Sequence, residues 1–175
     1  MKLIIYGKSS YGFKVLDTNF LDEKNQYIPT QDHEYSYEFH DRKHFHKIIQ
    51  EGKDFDLGLG ADQLMVSDKS LNVIMKNFKL DVDVIKSLGN DGDNLNVIII
   101  KSLVNCLDSS SRIRIDAAGK RIGVEIFGLK INKDLCMGHN LFRLQEYPSF
   151  IICSDNFMEV IMANQLACAV DFREC

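Results

Sequence analysis

The sequence predicts an α+β chain, a mixed or antiparallel sheet with a few amphipathic helices. Three observations point that way. Short apolar runs rich in β-branched residues recur along the chain and outnumber helical stripes, which puts strands in the majority. One segment occurs twice, LMVSDKSLNVIMKN at 64–77 and IICSDNFMEVIMAN at 151–164, offset by 87 residues, and each copy reads as strand, cap and helix. The composition, 45% hydrophobic and 26% charged over 175 residues, supplies enough apolar surface for a core without metal or disulfide staples, so 1–175 is read as one domain.

Residues 2–6 (KLIIY) read as a strand, with the GKSSYG that follows as turn material. In 41–50 (DRKHFHKIIQ), Phe45, Ile48 and Ile49 fall at i, i+3 and i+4, the spacing of a short amphipathic helix that Gly52 ends. LGLGADQ, with Gly58 and Gly60, reads as a flexible turn. In the first repeat Leu64, Met65 and Val66 form a short strand, and Ser67 and Asp68 offer oxygens to the exposed N–H groups that open a helix. Leu71, Ile74, Met75 and Phe78 then make one apolar stripe. The second copy repeats this with FIIC as strand, Ser154 and Asp155 as cap, and Met158, Ile161 and Met162 on the buried face. An apolar extended return follows each helix, LDVDVI from Leu80 and LACAVDF from Leu166. Between the copies, SLGNDGDN (87–94) is a turn, NVIII (96–100) a strand buried on both faces, and RIGVEIF (121–127) a half-exposed strand with Ile122, Val124 and Ile126 on one side. HNLFRL (139–144) is a further strand, closed off by Tyr147 and Pro148.

The apolar runs are far shorter than the roughly 20 residues that span a bilayer, and no targeting segment is visible, so a soluble cytoplasmic protein without a membrane partner is expected. Five cysteines without a C-x-x-C pair read as small buried or incidental thiols of a reducing compartment. A formal charge of −4 gives no nucleic-acid footprint. Its distribution is uneven: 51–93 hold nine acids against five bases, and 100–143 eight bases against four acids. A mixed solvated surface explains this plainly. The sharper reading is an acidic patch drawn from Asp81, Asp83, Asp91 and Asp93 that faces a basic partner.

The sequence holds no catalytic constellation. His40 and His44 would share one helix face, with His46 nearby, as metal ligands do at i, i+4, but no glutamate of an H-E-x-x-H pattern lies between them. A polar helix face is the preferred reading, a small metal- or ligand-binding domain or enzyme the alternative. LGLGADQ lacks the third glycine and the lysine of phosphate-cradling loops, and NDGDN lacks the terminal glutamate of a calcium loop. DSSSRIRID groups three serines with Arg112 and Arg114 but reads as a turn entering a strand. Ser67–Asp68 and Ser154–Asp155 are helix caps, not nucleophile and base, because adjacent side chains seldom face each other productively. No catalytic residue, metal or cofactor is assigned.

Three stretches carry a family resemblance: LMVSDKSLNVIMKN, then NVIIIKSLVNCLDSSS, then the closing block GHNLFRLQEYPSFIICSDNFMEVIMANQLACAVDF. In the last, Gly138, His139, Leu141, Phe142, Arg143 and Leu144 fit a G-h-x-l-F-r-l pattern. The chain resembles immunity proteins of bacterial polymorphic toxin systems, immunity family eleven, the myxobacterial-type immunity domain. The likeness covers 56–173, with 1–55 unmatched. It departs from the family between Phe78 and the Asn96–Val97 strand, where a proline and an aromatic residue are often found and neither is present. The resemblance implies a non-enzymatic antitoxin that binds a cognate toxin, delivered by contact-dependent or type VI-like secretion, and blocks it stoichiometrically.

Overall fold

The structure, a computed structural model, describes residues 1–5, 11–13, 15–21, 27–28, 43–60, 63–89, 95–118 and 121–175. In chain order they form β1 (Lys2–Ile5), β2 (Val15–Leu21), β3 (Tyr27–Ile28), β4 (Lys43–Gln50), β5 (Leu57–Gly60), β6 (Gln63–Ser67), α1 (Asp68–Asn77), β7 (Val82–Gly89), β8 (Leu95–Ile100), β9 (Leu103–Val104), β10 (Ile113–Ile115), β11 (Arg121–Val124), β12 (Leu141–Leu144), β13 (Ile151–Cys153), α2 (Asp155–Ala163) and β14 (Asp171–Glu174). The class is α+β. One sheet has the order β3-β2-β4-β7-β8-β6-β5, a second β14-β1-β13-β12-β9, and β10-β11 pair as a separate ribbon. Both large sheets are mixed: β4 runs parallel to β7 and β12 parallel to β9, whereas the other described pairs are antiparallel.

Strand alternation sends one set of side chains from each sheet into a shared core. Leu64, Val66, Ile98 and Ile100 come from the seven-stranded sheet, Ile4, Ile151 and Cys153 from the five-stranded one. The helices add Ile74, Phe157 and Ile161, and the residue that ends α1 adds Phe78, its ring 5.3 Å from that of Phe157. The intervening residues face outward into two further clusters. Met65, Leu95 and Val97 pack with Leu16, Phe55 and Ala169. Leu3, Phe142, Leu144 and Ile152 are covered by residues such as Val104, Cys106, Leu129 and Cys136.

The two repeat segments share a topology. β6 and β7 run parallel with antiparallel β8 between them, and β13 and β14 run parallel with antiparallel β1 between them. Each segment is preceded by its own antiparallel partner, β5 for β6 and β12 for β13. The middle strand differs in origin: β8 follows β7 directly, whereas β1 opens the chain.

Several expectations are corrected. Residues 43–50 form a strand, not a helix: buried His44 and His46 alternate with exposed Lys47, and β2 and β7 supply backbone partners on either side. His, Phe and Ile have no strong helix preference, so tertiary pairing decides. Residues 57–60 are strand β5 instead of a turn; a Cβ on Gly58 would lie 2.7 Å from the Phe55 ring, so the glycine makes room for that side chain. Met75 and Met162 are exposed (46% and 61%), because each lies one residue, about 100° of helix, past the buried isoleucine that faces the core. The predicted strand at 121–127 stops at Val124, where Gly128 N–H bonds Glu125 C=O and a 3-10 turn begins. After α2 the chain stays irregular until β14, apart from a bridge of Cys168 to Leu57. The turn proposed at 87–94 is β7 up to Gly89, and 90–94 lie outside the described residues.

Candidate partner-binding surface and helix entrances

The residues singled out by the sequence fall into three places. Ser67 and Ser154 open the helices with nearly equal backbones (φ −68°, ψ 162° and φ −71°, ψ 159°). Ser67 Oγ accepts from Ser70 N–H at 3.1 Å, and Ser154 Oγ from Phe157 N–H at 3.0 Å. Each hydroxyl also donates, Ser67 to Asp56 Oδ1 at 2.7 Å and Ser154 to Asn140 Oδ1 at 2.9 Å. The same two partners accept the serines' backbone N–H groups, both at 2.9 Å. With both hydroxyls engaged in this way, they act as joints. Sequence reasoning missed Asp56 and Asn140; the signal was their common place directly ahead of β5 and β12.

Asp56 reaches further. Its Oδ2 accepts from Ala167 N–H at 2.9 Å and Lys69 Nζ at 3.3 Å, and its own N–H donates to Ala167 C=O at 2.7 Å. It therefore ties the entrance of α1 to the chain that leaves α2. Burial pushes its carboxyl up, but the Ala167, Ser67 and Lys69 donors outweigh this and hold it below the usual carboxylate range. Asp68 accepts from Asn96 Nδ2 at 2.8 Å and pairs with Lys86 at 3.4 Å. Asp155 takes the equivalent place in the second segment, with the Met1 amino group at 3.0 Å and Lys2 at 3.6 Å. In both segments the aspartate is tied to the strand lying between the two parallel ones, β8 (Asn96) or β1 (Lys2). Asn77 and Asn164, at the helix ends, donate to the Val73 and Val160 carbonyls at 2.8 Å each.

Asp81 and Asp83 lie together at the start of β7. Lys101 Nζ is 3.8 Å from Asp81 and 2.8 Å from Asp83, so one ammonium serves two carboxylates. Asp81 is the more exposed, at 65% of its side chain against 25% for Asp83. Asp91 and Asp93 lie outside the described residues, as does His40. The other two histidines sit two apart on β4, and their Nδ1 atoms lie 2.7 Å (His44) and 2.6 Å (His46) from Ser87 Oγ on β7. All three side chains are buried.

Cys106, Cys136 and Cys153 are buried, Cys168 and Cys175 partly so, and burial raises all five thiols above the ordinary range. Arg143, from the closing block, is also buried; it donates to Pro148 C=O at 2.5 Å and across to Gln63 Oε1 at 3.0 Å, which joins β12 to β6. Among the described residues no helix is long and apolar enough to cross a membrane.

No curated protein matches the chain. A family model described as immunity protein family (Imm11) matches residues 20–175. The match begins well ahead of residue 56, where the sequence resemblance starts, and takes in β3 and β4 as well as both repeat segments. With that coverage, the chain belongs to the Imm11 immunity protein family.

Proposed function

We propose that this protein acts in the bacterial cytoplasm by binding a cognate toxin and neutralising it one to one, with no reaction of its own. The family match over 20–175 carries this reading. Ser67 and Ser154, the hydroxyls that the sequence sets beside aspartates, are engaged at helix entrances. Inhibition by contact needs complementary shape and charge over about 800 Å² on each partner, not a reactive group. We place the toxin's basic face against the acidic segment of Asp81, Asp83, Asp91 and Asp93. Lys101 lies 3.8 Å from Asp81 and 2.8 Å from Asp83, and a competing cation on the partner can draw the more exposed Asp81 away from it. In this reading the toxin arrives by contact-dependent or type VI-like secretion, as the sequence resemblance implies. Co-expression with the product of the adjacent toxin gene tests the reading: growth is restored and the two proteins purify together. Continued toxicity with no complex contradicts it.

A further inference from the structure

β3, β2 and β4 join β7, β8, β6 and β5 through the parallel β4–β7 pair, where among the described residues His44 pairs with Ser87, Phe45 with Leu88 and His46 with Gly89. At that pairing one hydroxyl lies between two imidazoles, 2.7 Å from His44 Nδ1 and 2.6 Å from His46 Nδ1, with all three side chains buried. A serine has one proton and a neutral imidazole one N–H. In the arrangement that uses the serine both ways, Ser87 donates to the Nδ1 of one ring and accepts from the Nδ1–H of the other, which sets the two histidines in opposite tautomers. A further proton on the accepting ring removes the acceptor, aims two N–H groups at one oxygen, and places a charge where burial opposes it.

We propose that the His44–Ser87–His46 bridge is a proton-operated latch, which holds the β2–β4 strands on the rest of the sheet and releases their His44 end on acidification. The surroundings fit this role. Burial, with the neighbouring His46, pushes His44 down to about 3. On the same face of β7 the titratable neighbour is Asp83, which Lys101 holds at 2.8 Å. On β2 the register sets Thr18 opposite His46 and Phe20 opposite His44, neither of which titrates near neutrality. On β4 itself, Lys47 is exposed and Ile48 packs with Leu16 against Phe55 and Met65, which anchors the other end of the strand pair. The sign follows from a lowered imidazole: the bridge stabilises fully above the ordinary histidine value of about 6.5 and weakens as pH falls from there toward 3. One such histidine multiplies the open-to-closed ratio by about 30 between about pH 7.5 and pH 5.

Two measurements on the full chain decide it. Ring-nitrogen NMR at about pH 7.5 is expected to show one histidine of the pair as the Nδ1–H tautomer and the other as Nε2–H; the same tautomer in both overturns the bridge. Hydrogen exchange, corrected for intrinsic rates, is expected to show opening at 43–46 rising about 30-fold on acidification to about pH 5, while 64–67 and 97–100 change far less. An equal rise in all three segments overturns the latch. His44→Gln keeps an amide for Ser87 but takes up no proton, and is expected to flatten the acid response; an unaltered response in that variant also overturns it.

Discussion

Ser67 and Ser154 each cap a helix with their lone pairs and fasten a neighbouring loop with their proton. Ser67→Ala or Ser154→Ala is expected to lower stability by about 1–2 kcal/mol in urea unfolding, the upper end of a simple cap because a second bond is lost with it. Asp56→Ala removes the acceptor of Ser67 O–H and Ala167 N–H together and is expected to lower it by about 2–3 kcal/mol. Asp56→Asn, which copies the residue type at Asn140, is expected to retain part of that. Because the Asp56 carboxyl is held below its ordinary range, its stabilisation is present above about pH 4 and lost as pH falls through the lower folded value. Acid unfolding followed by circular dichroism is therefore expected to be shallower in Asp56→Asn than in the parent. The caps were legible because serine and aspartate directly precede a 3.6-residue apolar stripe. Their partners were not, since Asp56 and Asn140 lie 11 and 14 residues upstream of the serines across loops of different length, which breaks the alignment of the two copies.

At the scale of elements, α1 and α2 meet through Phe78 and Phe157 within the core shared by both sheets. Phe157→Ala is expected to cost about 3–5 kcal/mol and Met162→Ala under about 1 kcal/mol, read as shifts of the denaturation midpoint. A reversed order would place the core on the wrong side of α2. Both repeat helices were readable from their stripes, but which apolar residue lies just outside the stripe was not: Met75 and Met162 differ from their buried neighbours by one step of helix rotation. β4 was misread for a related reason. Phe45, Ile48 and Ile49 satisfy a helical spacing by chance, while the buried pair His44 and His46 carried the true period of two in residues that polarity scales rank as outward-facing.

For the whole molecule, the family match supports the proposed reading, a scaffold that presents a surface to a foreign protein. Reversing the charge at Asp81, Asp83, Asp91 and Asp93 to lysine is expected to weaken toxin binding at least about tenfold and to reduce its dependence on salt, as followed by calorimetry at two ionic strengths. Unaltered affinity would move the interface elsewhere while leaving the antitoxin role in place. The family was legible because its motifs fall in and around the two repeat segments; the pairing of Asp81 and Asp83 with one lysine was not, because charge along a sequence does not say which carboxylates share a cation. The most direct test titrates the purified toxin with the purified protein and follows the toxin's activity. Neutralisation by contact predicts a linear fall to zero at one equivalent, with Ser67→Ala and Ser154→Ala equally effective while folded; suppression by a small fraction of an equivalent, or none at a large excess, contradicts it.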